Sequence, residues 1–217
     1  MLAALTGAGL ASAAGLNAFI PFVLVGVLDR FTTLIVLPSG LEWISSWWGI
    51  GAGMVLLVVD IVFDKVPGVD HVSDAIQTGV RPLMGGVMFA AVSGAEQIEQ
   101  SQWWRDNPWV GVVVGIALAG TVHAGKALSR PIVNAGTLGF GAPFVSAAED
   151  VTSATVAILA ILVPVLVVGV LVIIGVAIWR IVRLRRRRRA RRAARAGATA
   201  GAVGGAPDGD GPAAPPA

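Results

Sequence analysis

The chain has 217 residues, 55% of them hydrophobic and 13% charged, with a mean hydropathy of +0.78, a balance that excludes an ordinary water-soluble domain of this length. It has no cysteine, which removes disulfide frameworks, thiolate metal sites and cysteine nucleophiles. The net charge of +3 is unevenly held: residues 1–179 carry six Lys/Arg against eleven Asp/Glu (−5), and residues 180–217 carry ten Arg against two Asp (+8).

Apolar runs of roughly 20 residues predict about five bilayer spans, and hence an all-α polytopic transmembrane helical bundle over 1–179. The first span is expected from about Leu2 to Leu28. No basic residue precedes its apolar stretch, so it does not read as a signal peptide. Gly7, Gly9, Gly15, Asn17 and Pro21 punctuate it, and a proline that lacks a donor and crowds the preceding turn predicts a break near Asn17 to Pro21. The second span, about Ile44 to Phe63, has Gly49, Gly51 and Gly53 for close helix approach and Asp60 near its end. A short amphipathic segment over 70–79 leads to a third, shorter span over about Pro82 to Ala95. The fourth is expected over about Pro108 to Leu128. Asn134 to Ser146, with Gly136, Gly139, Gly141 and Pro143, is apolar yet poorly helical, and fits either a re-entrant segment covered by protein or an external loop. The fifth, about Val151 to Trp179, exceeds the bilayer at ~1.5 Å per residue and must tilt, kink at Pro164 or project.

Tyrosine is absent, so the seven tryptophans must supply any aromatic belt, and all of them fall at the edges of apolar runs. Beyond the last span a basic juxtamembrane helix is expected over 180–196, then a disordered Ala/Gly/Pro-rich tail over 197–217. Arginines beside a span place the C-terminus in the cytoplasm by the positive-inside rule. They also attract anionic lipid headgroups, at about 1 kcal/mol per basic residue. The tail has no interleaved aromatics and no fold to present bases, which argues against nucleic acid as a partner. The lipid bilayer is the partner the composition requires, and the oligomeric state stays open. A weak repeat aligns Ala14, Gly15, Pro21, Val23, Gly26 and Leu28 with Ala124, Gly125, Pro131, Val133, Gly136 and Leu138. Chance competes with it in an Ala/Gly/Val-rich chain. If real, it implies an inverted repeat of the kind that frames transporter sites.

The chemistry is concentrated between Asp60 and Arg81. Ionisable groups near a membrane interior are costly and are read by default as a pathway or a site. Asp60 and Asp64 are four residues apart, as are Asp70 and Asp74, so each pair shares a helix face, and Pro67-Gly68 supplies a turn that folds the pairs together. With His71, these carboxylates suit a hard cation, which makes Asp60, Asp64, Asp70 and Asp74 the metal candidates, or a proton relay. The structural alternatives are Asp70 as a helix cap, Asp64 beside Lys65 at the interface, and Asp74 paired with Arg81 or Arg130. A second polar set, His123, Lys126, Arg130 and Asn134, includes a cationic helix stripe. Its Lys126 is expected to snorkel to water, and its Arg130 to meet Glu149, Asp150 or the acidic cluster. No sequence feature requires a cofactor.

Gly15-Leu16-Asn17-Ala18-Phe19-Ile20-Pro21, then Val59-Asp60, then Asp64-Lys65-Val66-Pro67-Gly68-Val69-Asp70-His71-Val72-Ser73-Asp74, Arg81-Pro82, and His123 to Asn134 together resemble a family of small bacterial membrane proteins known only as a domain of unknown function. The DKxPGxDHxxD string is the specific element, and the likeness covers roughly residues 5–150. Members often have glutamate where this chain has Asp60. The resemblance implies a multi-pass protein of the bacterial inner (cytoplasmic) membrane and these positions as a unit, but it lends no activity, substrate or cofactor. The expected function is a channel or transporter for a small ion or polar solute, with Asn17 completing the polar pathway. The alternatives are a non-transporting scaffold or assembly factor and a membrane-embedded metal-dependent hydrolase or phosphotransferase. No Walker-type, Gly-x-Ser-x-Gly or His-Glu-x-x-His string is present, which lowers any enzyme reading.

Overall fold

The computed structural model describes residues 2–64, 70–92, 102–137 and 141–204, with side chains described outside 70–74, 104–105, 130–137, 142, 181 and 188–204. Among these residues all regular structure is helical: α1 (Leu2–Leu16), α2 (Phe19–Phe31), a 3-10 turn (Glu42–Ser45), α3 (Trp47–Phe63), α4 (Asp70–Ala91), α5 (Gln102–Asp106), α6 (Pro108–Thr137), α7 (Ala142–Leu162) and α8 (Leu166–Gly204). Stretches of α6, α7 and α8 (Pro108–Ser129, Pro143–Leu162 and Leu166–Arg187) are long and apolar enough to cross a membrane, and α1 and α3 are shorter apolar helices. A helix satisfies its own backbone, which is why such segments can sit in lipid. The chain divides into two compact units, Met1–Ala177 and Ile178–Ala217.

In the first unit α1 is the central element. Its residues from Gly7 to Gly15 are all buried and nearly all small, so it has no polar face, and α4, α6 and α7 pack around it. Small residues let backbones approach closely where lipid supplies no hydrophobic drive between helices. The α4–α6 contact uses the same device. Gly85 lies against Gly115 and Ala119, Phe89 fills the space over Gly111 and Gly115, and Pro82 covers Gly120. A Cβ on Gly86 would come within 3.0 Å of both Val112 and Ile116. Going up α4 these partners descend along α6, so the two helices are antiparallel.

The break in the first span falls at Asn17-Ala18, as expected. Pro21 then sits in the first turn of α2, where a missing N–H breaks no intrahelical bond. The fifth span divides at Pro164, where the proline ring clashes with the carbonyl one turn back. The Val163 N–H donates to the Leu159 carbonyl at 2.8 Å and Leu166 N–H to Val163 at 3.0 Å, closing the turn between α7 and α8.

Three expectations change. The amphipathic segment and the third span are one helix, α4, which runs through Pro82. Likewise α6 continues through Pro131 to Thr137 and α7 begins at Ala142, so residues 134–137 and 142–146 are helical. Prolines are held inside such helices because neighbours re-satisfy the freed backbone groups, and Pro143 opens α7 in its first turn. The inverted repeat is not reproduced, because α1 and α6 run in the same direction. Gly7 and Gly111 both meet Phe89, Gly15 meets Ala119 and Val122, and Leu16 meets Lys126. Only the first of the aligned stretches is broken.

Trp43, Trp47, Trp48, Trp103, Trp109 and Trp179 are all exposed. Arg30 lies 4.2 Å over the Trp47 ring and donates to the Ser45 carbonyl at 3.0 Å. Ser46 caps α3, its Oγ accepting from Gly49 N–H at 2.9 Å. In the second unit Arg183 lies 5.0 Å over Trp179.

Candidate functional site

Where α1 stops, a carbonyl is left without a helical partner, and two other helices supply side chains to the gap. Asn17 Oδ1 accepts from Phe19 N–H at 3.0 Å and Ile20 N–H at 3.2 Å, so it starts α2 as a capping residue does. Its Nδ2 donates to Asp150 Oδ1 of α7 at 2.9 Å. Ser153, one turn further along α7, donates to the Ala13 carbonyl at 2.9 Å. Lys126 of α6 donates to the Leu16 carbonyl at 3.3 Å. The helix break is thus held by polar side chains of α6 and α7.

Around it lie the charges. Asp60 and Asp64, one turn apart at the end of α3, share its buried face with Gly49 and Gly53. Gln77 and Arg81, one turn apart on α4, face them: Gln77 Nε2 donates to Asp60 Oδ1, and Arg81 Nε donates to Gln77 Oε1 at 3.2 Å. The Arg81 guanidinium stands 3.8 Å from Asp60 Oδ2 and 3.6 Å from Asp64 Oδ2. The Lys126 ammonium reaches Asp64 Oδ2 at 3.2 Å and Glu149 Oε2 of α7 at 2.9 Å. Beside this group His123 Nε2 lies 3.2 Å from Thr78 Oγ1.

Burial is nearly complete: 0% of the Arg81 side chain, 2% of Lys126 and 11% of Glu149 is exposed. Taking such charges out of water costs several kcal/mol each, which mutual attraction offsets only with good geometry and further hydrogen bonds. That condition is met unevenly. Lys126 has three oxygens around it, whereas Asp60 Oδ2 and Arg81 Nη1 and Nη2 have no hydrogen-bond partner among the described residues. Asp60 and Asp64 face Arg81, Asp64 and Glu149 hold Lys126, and Asp150 accepts from the Asn17 amide.

Asn17, Asp60, Asp64, Arg81, His123 and Lys126 therefore come together at one end of the bundle. The side chains of Asp70, His71, Asp74, Arg130 and Asn134 lie outside the described residues; their backbones belong to α4 and α6. Asp64 is turned inward to Arg81 and Lys126 and is buried, not resting at the interface. Lys126 does not snorkel to water, because Asp64 and Glu149 hold its ammonium inside. Among the described residues no three His, Cys, Asp or Glu side chains come close enough to hold a metal ion; Asp70 and Asp74, the other two metal candidates, have side chains outside the described residues. Sequence reasoning missed Gln77 and the pairings of Glu149 with Lys126 and of Asp150 with Asn17; its expectation that Arg130 meets Glu149 or Asp150 lies outside the described residues. A signal existed, since Glu149 and Asp150 are the only carboxylates between Asn107 and Trp179.

A bundle of apolar helices closed around an ionic cluster at a helix break defines an integral membrane protein with a polar interior. The chain belongs to the family described as Domain of unknown function (DUF4126), whose pattern matches residues 4–184. No curated protein and no solved structure matches it.

Proposed function

We propose that the protein is a channel or transporter of the bacterial cytoplasmic membrane, moving a small ion or polar solute past the cluster at the α1–α2 break, with its C-terminus in the cytoplasm. One observation carries the reading: charged side chains of α3, α4, α6 and α7 are buried against an interrupted helix, with three of their polar atoms left unbonded among the described residues. Ionisable groups in membrane segments that face the bundle interior mark pathways, and discontinuous helices are where transporters place their sites. The test is solute and ion flux through purified protein in liposomes. Wild type is expected to conduct, and Asp60→Asn and Asp64→Asn are expected to lose most of the flux while remaining folded. Equal flux in all three proteins would sink the proposal.

A second reading has its own observation. Lys126 ties together α1, α3, α6 and α7, so the cluster can serve as a lock within a non-transporting scaffold, the Arg-rich tail recruiting anionic lipid. That reading expects no flux under any gradient, charge-removing variants that lose stability alone, and loss of function on deleting Arg183 to Ala217.

A further inference from the structure

The loop between α2 and α3 is apolar on its outside and pinned from beneath. Ile35, Leu37 and Ile44 are buried in the core, and Asp29 Oδ1 accepts from Leu37 N–H at 2.8 Å. Residues 34–37 therefore alternate, leaving Leu34 and Val36 exposed. With them stand Phe31, Trp43, Trp47 and Trp48, the last 89% exposed. Phe31 meets Trp47 edge-on at 6.0 Å, and Arg30, itself exposed, lies 4.2 Å over the same ring and donates to the Ser45 carbonyl. Exposed Thr32, Thr33, Ser39 and Glu42 are interleaved with these residues.

Such a surface suits neither bulk water nor the hydrocarbon interior. Six large apolar side chains exposed on one short loop mark an interaction surface, whereas an arginine, a glutamate and three hydroxyls are costly in hydrocarbon. Tryptophan and arginine together fit the headgroup level, where an indole has one apolar and one wet side and a guanidinium meets phosphate oxygens. The patch also runs on into the exposed apolar face of α3, through Val55, Val58 and Val62, which makes it continuous with the surface that the bundle turns to the membrane.

We infer that the α2–α3 loop is a docking surface for phospholipid headgroups of one leaflet, with Trp43, Trp47 and Trp48 set among the glycerol and upper acyl groups and Arg30 on phosphate. The inference does not depend on transport. It does fix the depth of the charged cluster. α2 has 13 residues, and Asp60 follows the first residue of α3, Trp47, by as many, so at ~1.5 Å per residue both helices lead about 20 Å inward from the headgroups, to Asn17 and to Asp60. The cluster then lies within a hydrocarbon layer ~30 Å thick and not at the surface on which the loop rests.

The chain has no cysteine, so single thiols can report depth. Val36→Cys in the loop and Val58→Cys on α3 change side chains that are 70% and 56% exposed, and each is labelled with a thiol-reactive fluorophore in liposomes of phosphatidylcholine and phosphatidylglycerol. Quenching is measured with lipid brominated near the headgroup, with lipid brominated near the chain end, and with iodide in water. At Val36 the shallow bromines are expected to quench several-fold more than the deep ones and more than iodide, and at Val58 the deep bromines should quench most. Strong iodide quenching at Val36 without any effect of brominated lipid overturns the inference, because the loop then lies in water. Protection from all three quenchers overturns it in favour of a protein cover, which oxidative cross-linking of Val36→Cys between chains would identify as a second copy. Equal depth at the two positions overturns it as well. If the label at Val36 disturbs the fold, Leu34→Cys takes its place with the same expected outcome.

Discussion

Arg81 is the residue on which the cluster most depends. It faces Asp60 and Asp64 at 3.8 and 3.6 Å and is anchored by its Nε bond to Gln77. Removing one partner of a buried charge group strands the other, so Arg81→Ala is expected to cost about 3–5 kcal/mol in unfolding measured in detergent. Arg81→Lys should recover only part of this, because an ammonium cannot reproduce a guanidinium that bonds Gln77 while facing two carboxylates. Asn17 acts on the backbone. Its carbonyl oxygen accepts two N–H groups of α2 and its amide donates to Asp150, so Asn17→Ala should cost about 1–2 kcal/mol, the loss of a cap together with a side-chain bond. A change below a few tenths would show that α2 starts without it.

Between elements, glycine fixes how closely helices meet. At Gly115 a methyl group would run into the Gly85 backbone and Phe89 Cβ, and neither can yield without separating α4 from α6. Gly120 faces only Pro82, at 3.7 Å, an ordinary contact. Gly115→Ala is therefore expected to destabilise by about 1–3 kcal/mol through overpacking. Gly120→Ala should be neutral or stabilise by about 0.4–1 kcal/mol through the unfolded chain. Thermal unfolding of the two variants side by side tests this, and equal losses would contradict the packing described. Separating α4 from α6 would also move Arg81 and Gln77 away from Lys126 and His123, so flux in Gly115→Ala should fall along with stability.

For the whole molecule, the lack of cysteine makes topology directly testable. A single cysteine in place of Ala202 is expected to resist a membrane-impermeant thiol reagent in intact cells and to react once the membrane is permeabilised, if the ten arginines beside the last apolar stretch keep the C-terminus inside as the positive-inside rule predicts. Labelling in intact cells would reverse the assignment. The exposed apolar residues of α3, among them Met54, Val55, Val58 and Val62, belong against lipid or a partner helix, and the protein should stay with membranes under alkaline extraction.

Much of this architecture is written locally. Composition alone requires a membrane, the run lengths mark the apolar helices, Asn17 with Pro21 locates the first break, Pro164 locates the second, and the i,i+4 spacing of Asp60 and Asp64 puts both on one face. Those features depend on a few neighbouring residues, so the order of residues determines them. What the sequence could not assign is which charge meets which. Lys126 reads as an interfacial snorkel, Gln77 looks like any surface amide, and Glu149, though one of only two carboxylates between Asn107 and Trp179, does not name as its partner a residue 23 positions earlier. Those pairings depend on helix direction and on glycine-set distances between α1, α4, α6 and α7. Because α6 runs parallel to α1, it brings Lys126 to the Leu16 carbonyl, and only the packed bundle decides that.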